Sequence, residues 1–251
     1  MMSHLMFLIF VVAWSTWTAC KSDVLWTWDE AFDDVIKADN SSHTQVRRAV
    51  NVGHCASLCT SNASCSSFFF LPKTEECRLH EIVFAKRAGG QSSPGARYFK
   101  AFSAACSRDG YVWLRGPRTC FKVYSDSPNF RSVYQSCVDA GSRLAVLDKE
   151  DKLRGVAAYF ADLDTPITRA YIGGMRDGVV NGTRTNWNNT LDPLYWLNGV
   201  KIPTSGPDSY WALPDVNPSN SYGIEGCMEI IDRLWNDISC VNGQPFICEK
   251  I

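Results

Sequence analysis

The chain has 251 residues, enough for two domains of ordinary size, and 45% of them are apolar, enough for each domain to bury a core. A formal net charge of -1 without a long run of Lys or Arg lacks the electrostatic footprint of nucleic-acid binding or of attachment to an anionic membrane. Eleven cysteines speak against a reducing compartment.

The first apolar run, Leu5 to Trp14, is too short to span a bilayer and is followed by small polar residues, as in a secretory signal. Cleavage after Cys20 puts Thr18 and Cys20 at the two positions that prefer small residues, so residues 1–20 are expected to be a signal peptide. No later segment is long and apolar enough to cross a membrane, and the mature protein is expected to be secreted and extracellular, with no membrane insertion. Four acceptor sequons, at Asn40, Asn62, Asn181 and Asn188, suit a secreted glycoprotein.

Ten cysteines remain after cleavage, and they fall into two groups. Cys55, Cys59, Cys65 and Cys77 are separated from the group beginning at Cys106 by Gly89-Gly90 and Ser92-Ser93-Pro94-Gly95, which predicts one domain over 21–102 and a second over 103–251. Each group is even, so each domain can close its own disulfides. Zinc is disfavoured by the oxidising setting and by the absence of paired CxxC spacing.

In the first domain Cys55, Leu58 and Cys59 share one face of a short helix that Gly53 precedes, and Ser66 to Leu71 reads as a buried strand. The pattern Cys55-x3-Cys59-x5-Cys65, the Phe run and Cys77-Arg78-Leu79 resembles a PAN/apple domain, in which a helix is stapled to a small antiparallel sheet. That resemblance implies pairing of Cys55 with Cys77 and of Cys59 with Cys65, and a role in binding proteins or carbohydrates. A structural spacer presenting the second domain is the other reading of the same residues.

In the second domain Phe130, Val133, Tyr134 and Cys137 follow the i, i+3, i+4, i+7 spacing of an amphipathic helix, with Ser127 as N-cap and Pro128 at the first helical position. A second helix repeats the pattern at Leu153, Val156, Ala157 and Phe160, with Asp148 as its cap and Glu150 and Asp151 at the positive end of the dipole. Leu144 to Leu147 reads as a short apolar strand between them. After residue 170 comes a long polar region dense in Gly, Asn, Pro and Trp, and a loop of that size in a compact domain is usually functional. Trp196 and Trp211 are expected in the core. Trp187, beside a sequon, is expected to be exposed, where its ring could stack on a sugar face.

The tail from Cys227 to Cys248 carries Trp235-Asn236-Asp237 between half-cystines, which places an amide and an acid on a rigid segment behind an apolar anchor. Together with Cys106, Cys120, Cys137 and the segment Tyr171-Ile172-Gly173-Gly174, it resembles the C-type lectin-like domain over residues 106–249. The resemblance implies an α+β fold of two helices, small antiparallel sheets and a long loop region, with Cys106 paired to Cys120, Cys137 to Cys248 and Cys227 to Cys240. Tyr171 stands where that family commonly has tryptophan.

Sugar-binding members hold calcium with a triplet around a cis-proline, a glutamate two residues before the third conserved cysteine, and the Asn-Asp pair. Here Glu225, Asn236 and Asp237 match, while the triplet departs as Asn217-Pro218-Ser219; a second register, Leu213-Pro214-Asp215, fits the distance to Cys227 less well. The resemblance therefore implies Ca2+ on Asn217, Glu225, Asn236 and Asp237, with Ser219 an optional donor, and carbohydrate bridged by the ion. It implies a lectin for terminal monosaccharides on glycans or glycoproteins, in innate immune recognition or adhesion. A calcium-independent protein-binding adhesion or matrix module is the alternative. Asp237→Ala is expected to abolish binding and leave the fold. Single sites of this kind gain from clustering, so oligomerisation is possible. An enzyme is not expected, because His4, His43, His54 and His80 all lie outside the lectin-like domain and no Ser/His/Asp or Cys/His arrangement is available there.

Overall fold

The computed structural model describes residues 24–37, 44–86, 88–187, 192–212 and 216–251. The leader, Asn40, Asn188 and the second-register triplet lie outside them.

Residues 25–102 build a five-stranded antiparallel sheet from β1 (Leu25–Trp28), β3 (Gln45–Arg48), β4 (Ser67–Leu71), β5 (Glu76–His80) and β7 (Arg97–Phe102), in the order β1-β7-β4-β5-β3. A small ribbon of β2 (Val35–Ile36) and β6 (Gln91–Ser92) stands beside it. All of β4 is buried, and its alternation divides the phenylalanines between the two faces. Phe69 packs with Phe32, Phe84 and Tyr98, while Phe68 and Phe70 pack with Cys55 and Cys59 of α1 (Val52–Ser61). Disulfides Cys55–Cys77 and Cys59–Cys65 fasten α1 to β5 and to the approach of β4. The helix starts earlier than its glycine suggested: Asn51 is the N-cap, its side chain accepting from His54 N–H, and Gly53 sits within the first turn. A side-chain acceptor placed to meet an orphan amide decides the start more strongly than glycine does.

The second half is an eight-stranded sheet of β8 (Val112–Leu114), β9 (Thr119–Tyr124), β10 (Arg143–Leu144), β11 (Arg169–Arg176), β12 (Leu194–Trp196), β13 (Cys227–Ile231), β14 (Leu234–Ile238) and β15 (Phe246–Lys250). Its main path runs β14-β13-β11-β15-β9-β8, with β12 on β11 and β10 on β15. The buried face of α2 (Phe130–Asp139), formed by Phe130, Val133 and Cys137, packs with Tyr171 and Phe246. The apolar face of α3 (Glu150–Ala161), formed by Leu153, Val156, Ala157 and Phe160, enters the main core with Leu114, Phe121, Ile172 and Trp235. Cys106–Cys120, Cys137–Cys248 and Cys227–Cys240 are bonded in this half.

Both helix starts differ from expectation. Asn129, not Ser127, caps α2 by accepting from Ser132 N–H, which leaves Pro128 outside the helix. Lys149 precedes α3 without a side-chain cap, and Asp148 instead takes the Lys152 ammonium four residues on, at 3.0 Å. Leu144 to Leu147 are fully buried, but only Arg143–Leu144 pairs as a strand.

The two halves are joined along a seam. Asp162, just past α3, accepts Lys37 Nζ and the backbone amides of Ala85 and Lys86, the latter two at 2.9 and 3.3 Å. Arg154 meets Glu81 at 2.6 Å, and Val83 joins the core that α3 helps to form. Arg115 Nη1 and Nη2 reach four carbonyls at the end of α1 and beyond it, those of Cys59, Thr60, Asn62 and Cys65. These include carbonyls that a helix C-terminus leaves without intrahelical partners.

Candidate functional site

The hairpin of β13 and β14 is the platform of the site. Its register sets Glu229 opposite Asn236 and Met228 opposite Asp237, while the fully buried Trp235 anchors β14 by donating its indole N–H to Leu147 O at 3.1 Å. Because side chains alternate along a strand, Trp235 and Asp237 share the buried face and Asn236 takes the other. Asp237 and Glu229 are both wholly buried.

The segment 216–226 folds over this platform, with a cis peptide at Asn217-Pro218. Asn217 donates its amide to Asn236 Oδ1 at 2.8 Å and to Ala212 O. Asp237 then gathers the segment: Oδ1 accepts Ser219 N–H at 2.9 Å and Oδ2 accepts Asn220 N–H at 2.8 Å. Asn220 lies in the left-handed region, φ 45°, where asparagine is tolerated better than most residues. Glu225 Oε2 accepts Ser219 Oγ at 2.8 Å and Ser221 N–H at 2.6 Å. All five residues expected at the site are brought into one cluster through two hydrogen-bonded groups, Asn217 with Asn236, and Ser219 with Glu225 and Asp237.

Arg176, at the end of β11, enters that cluster from beneath. Its Nη2 lies 3.0 Å from Asp237 Oδ2, with both side chains fully buried. Its Nε donates to Glu225 O at 2.9 Å and its Nη1 to Asp192 O. Asn236 donates Nδ2 to Glu229 Oε1 at 3.0 Å, which turns its own Oδ1 toward Asn217. Burial holds the Glu229 carboxyl above the ordinary carboxylate value, while the bond from Asn236 and the charge of Arg169 work the other way.

A calcium ion takes six to eight oxygens at about 2.3–2.6 Å. Of the expected ligands, both Asp237 oxygens and Asn236 Oδ1 already accept hydrogen bonds. Among the described residues only Glu225 Oε1 and Asn217 Oδ1 are left without a hydrogen bond among the side-chain oxygens of those four residues. The Arg176 guanidinium also cancels the carboxylate charge that a divalent ion would use. As arranged, these residues do not fit calcium. Asp237 also carries a buried ion pair, so Asp237→Ala is expected to cost stability as well as binding.

Trp187 is buried, not exposed. Its ring fills the space beside Gly226, where an added Cβ would stand 2.2 Å from Cη2, and its indole N–H donates to Asp177 O at 3.2 Å. The glycine after Glu225 is thus the residue that admits the ring. Trp196 and Trp211 are in the core as expected. Tyr222, unremarked in the sequence, is 97% exposed at φ 54°, three residues from Glu225, and flanking Val216 and Ile224 are exposed as well. The signal available for Arg176 was a cation at the inner end of a strand that is apolar between Arg169 and Arg176. Of the sequons, Asn181 is exposed and Asn62 half-buried at the end of α1.

Residues 31–106 match the PAN domain family model. Over 196 residues, 73% of this chain and 83% of the relative, the sequence is 24% identical to C-type lectin domain family 4 member E of Mus musculus. Among solved structures, the mouse scavenger receptor C-type lectin carbohydrate-recognition domain is 19% identical with a TM-score of 0.43, covering 57% of this chain and 94% of that one. An SPL-1–GlcNAc complex is also 19% identical with a TM-score of 0.43, covering 59% and 98%. Among the described residues no helix is long and apolar enough to cross a membrane.

Proposed function

We propose that this chain, which joins a PAN domain to a C-type lectin-like domain, is a secreted lectin that recognises terminal monosaccharides on glycans or glycoproteins, in innate immune recognition or adhesion. In this reading residues 1–20 are removed, 21–102 form the PAN module and 103–251 the lectin module. Asn40, Asn62, Asn181 and Asn188 are the candidate glycan acceptors.

The observation that carries the reading is the face formed by Asn217, Ser219, Ser221, Tyr222 and Glu225. Glu225 Oε1 is an available acceptor there, with Oδ1 of the largely buried Asn217 a second, two serine hydroxyls lie 3.1 Å apart, and the Tyr222 ring stands in solvent. Carboxylate and amide oxygens can accept from sugar hydroxyls, and an aromatic ring complements the C–H face of a pyranose. A C-type lectin as curated relative supports sugar as the ligand class. Calcium on Asn217, Glu225, Asn236 and Asp237, with the ion bridging the sugar, would have to compete for Asp237 with Arg176 and two loop amides. The proposal therefore places recognition on direct hydrogen bonds.

The exposed apolar rim of Val216, Tyr222 and Ile224 favours a second reading, a protein-binding module of the same fold. The full chain, clustered on beads and offered an immobilised glycan panel with calcium and then with chelator, separates the readings. Binding that survives chelation and weakens in Tyr222→Ala and Glu225→Gln is expected. Binding lost on chelation would restore the calcium-bridged mode, and no binding to any glycan would move the assignment to protein recognition.

A further inference from the structure

We propose that Arg176 is the resident cation of the loop face: its guanidinium neutralises Asp237 and ties the surrounding segments together, so that the face keeps its shape without a metal ion.

Four observations converge on this. The Arg176–Asp237 pair is fully buried, at 3.0 Å. A buried ion pair is tolerated only when further hydrogen bonds satisfy the donors and acceptors it takes out of water. Here Asp237 accepts two loop amides besides Arg176, and Arg176 donates to two carbonyls besides Asp237. Those contacts tie Asp192 to Glu225 and β14; the last two flank the Cys227–Cys240 disulfide, whereas residues 177–226, which include Asp192, contain no cysteine. The Arg176 backbone adds its own tie, its N–H donating to Gly226 O at 2.8 Å. Finally, Trp187 packs against Gly226, so an apolar ring occupies the space beside the acidic segment. Arg176 is a positioning residue in this account: it acts on ligand recognition only through the loop it holds. The inference stands whatever ligand the face takes.

The test is thermal unfolding of the full chain in millimolar calcium and in chelator, with calcium alone as the probe. For the natural sequence the midpoints are expected to coincide. Arg176→Ala frees Asp237 beside Glu225, Asn217 and Asn236, and is expected to lower the midpoint in chelator but to recover on adding calcium. At a hundredfold excess over Kd, that recovery amounts to roughly 5–10 °C for a chain of this size. Arg176→Lys, which keeps the charge, is expected to remain insensitive to calcium. A residue with a merely structural role would lower the midpoint in Arg176→Ala without creating any calcium response, and that result overturns the proposal. Calcium stabilisation of the natural sequence by several degrees overturns it as well, and that measurement decides the matter even if Arg176→Ala fails to fold.

Discussion

The seam between the two halves and the loop face over β14 are both irregular, and each is organised by an arginine that collects backbone carbonyls. Their surroundings differ. Arg115 reaches the end of α1, a helix already fastened by Cys55–Cys77 and Cys59–Cys65, and among the described residues it has no carboxylate as a hydrogen-bond partner. Arg176 reaches into residues 177–226, a stretch without a cysteine, and ties it to β14 through a buried carboxylate. Where covalent staples have fixed the chain, an arginine caps; where they have not, the arginine and its acid are the fastening. The same chemistry therefore carries different weight in the two regions.

That contrast can be broken most severely at Asp237. Asp237→Ala leaves Arg176 buried without its counter-charge and strands two loop amides, and a loss of about 3–5 kcal/mol is expected in chemical denaturation. A loss below about 1 kcal/mol would mean that water reaches the site and that the loop does not depend on the pair. At the seam the larger effect is expected from Asp162→Ala, which removes the acceptor of Lys37 and of two amides, at a cost of about 1–3 kcal/mol.

Arg115→Ala sharpens the comparison from the other side. Its carbonyl partners lie at a partly exposed helix end where water can replace the guanidinium, so about 1 kcal/mol is expected, well short of the Asp237 effect. A loss equal to that of Asp237→Ala would erase the distinction between capping and fastening. The smallest change is expected at Glu229, the buried acid that orients Asn236. Burial raises its folded-state pKa above 4.5, so its contribution is fully present below about 4.5 and is lost as pH rises through the folded value. Glu229→Gln keeps an acceptor for Asn236 and is expected to change stability by less than about 1 kcal/mol at pH 7. Relative to this variant, the natural protein should gain stability as pH falls toward 4.5; a difference that stays flat between pH 7 and 4.5 would remove burial as the cause of the shift.

Much of the fold was legible from the sequence, for a local reason. Apolar spacing marks the face that must leave water, and Phe130, Val133 and Cys137, like Leu153, Val156, Ala157 and Phe160, are all buried where the periodicity put them. Helix starts were read less well, because Asn129 and Ser127 are both competent caps by composition and only the chain's entry angle chooses between them. For the expected site residues, proximity was legible but hydrogen-bond partners were not. Asn217, Ser219, Glu225, Asn236 and Asp237 do gather, yet their oxygens are turned toward partners that the sequence did not name.

The sequence by itself determined which faces of the helices and strands are buried, and hence the α+β frame, because burial repeats with the period of each element. Only the tertiary structure decided that Asp237 faces Arg176, sixty-one residues before it, and that Trp187 turns inward against Gly226. Periodicity records that a side chain is buried, but which charge or ring it meets there depends on the path of the chain between them.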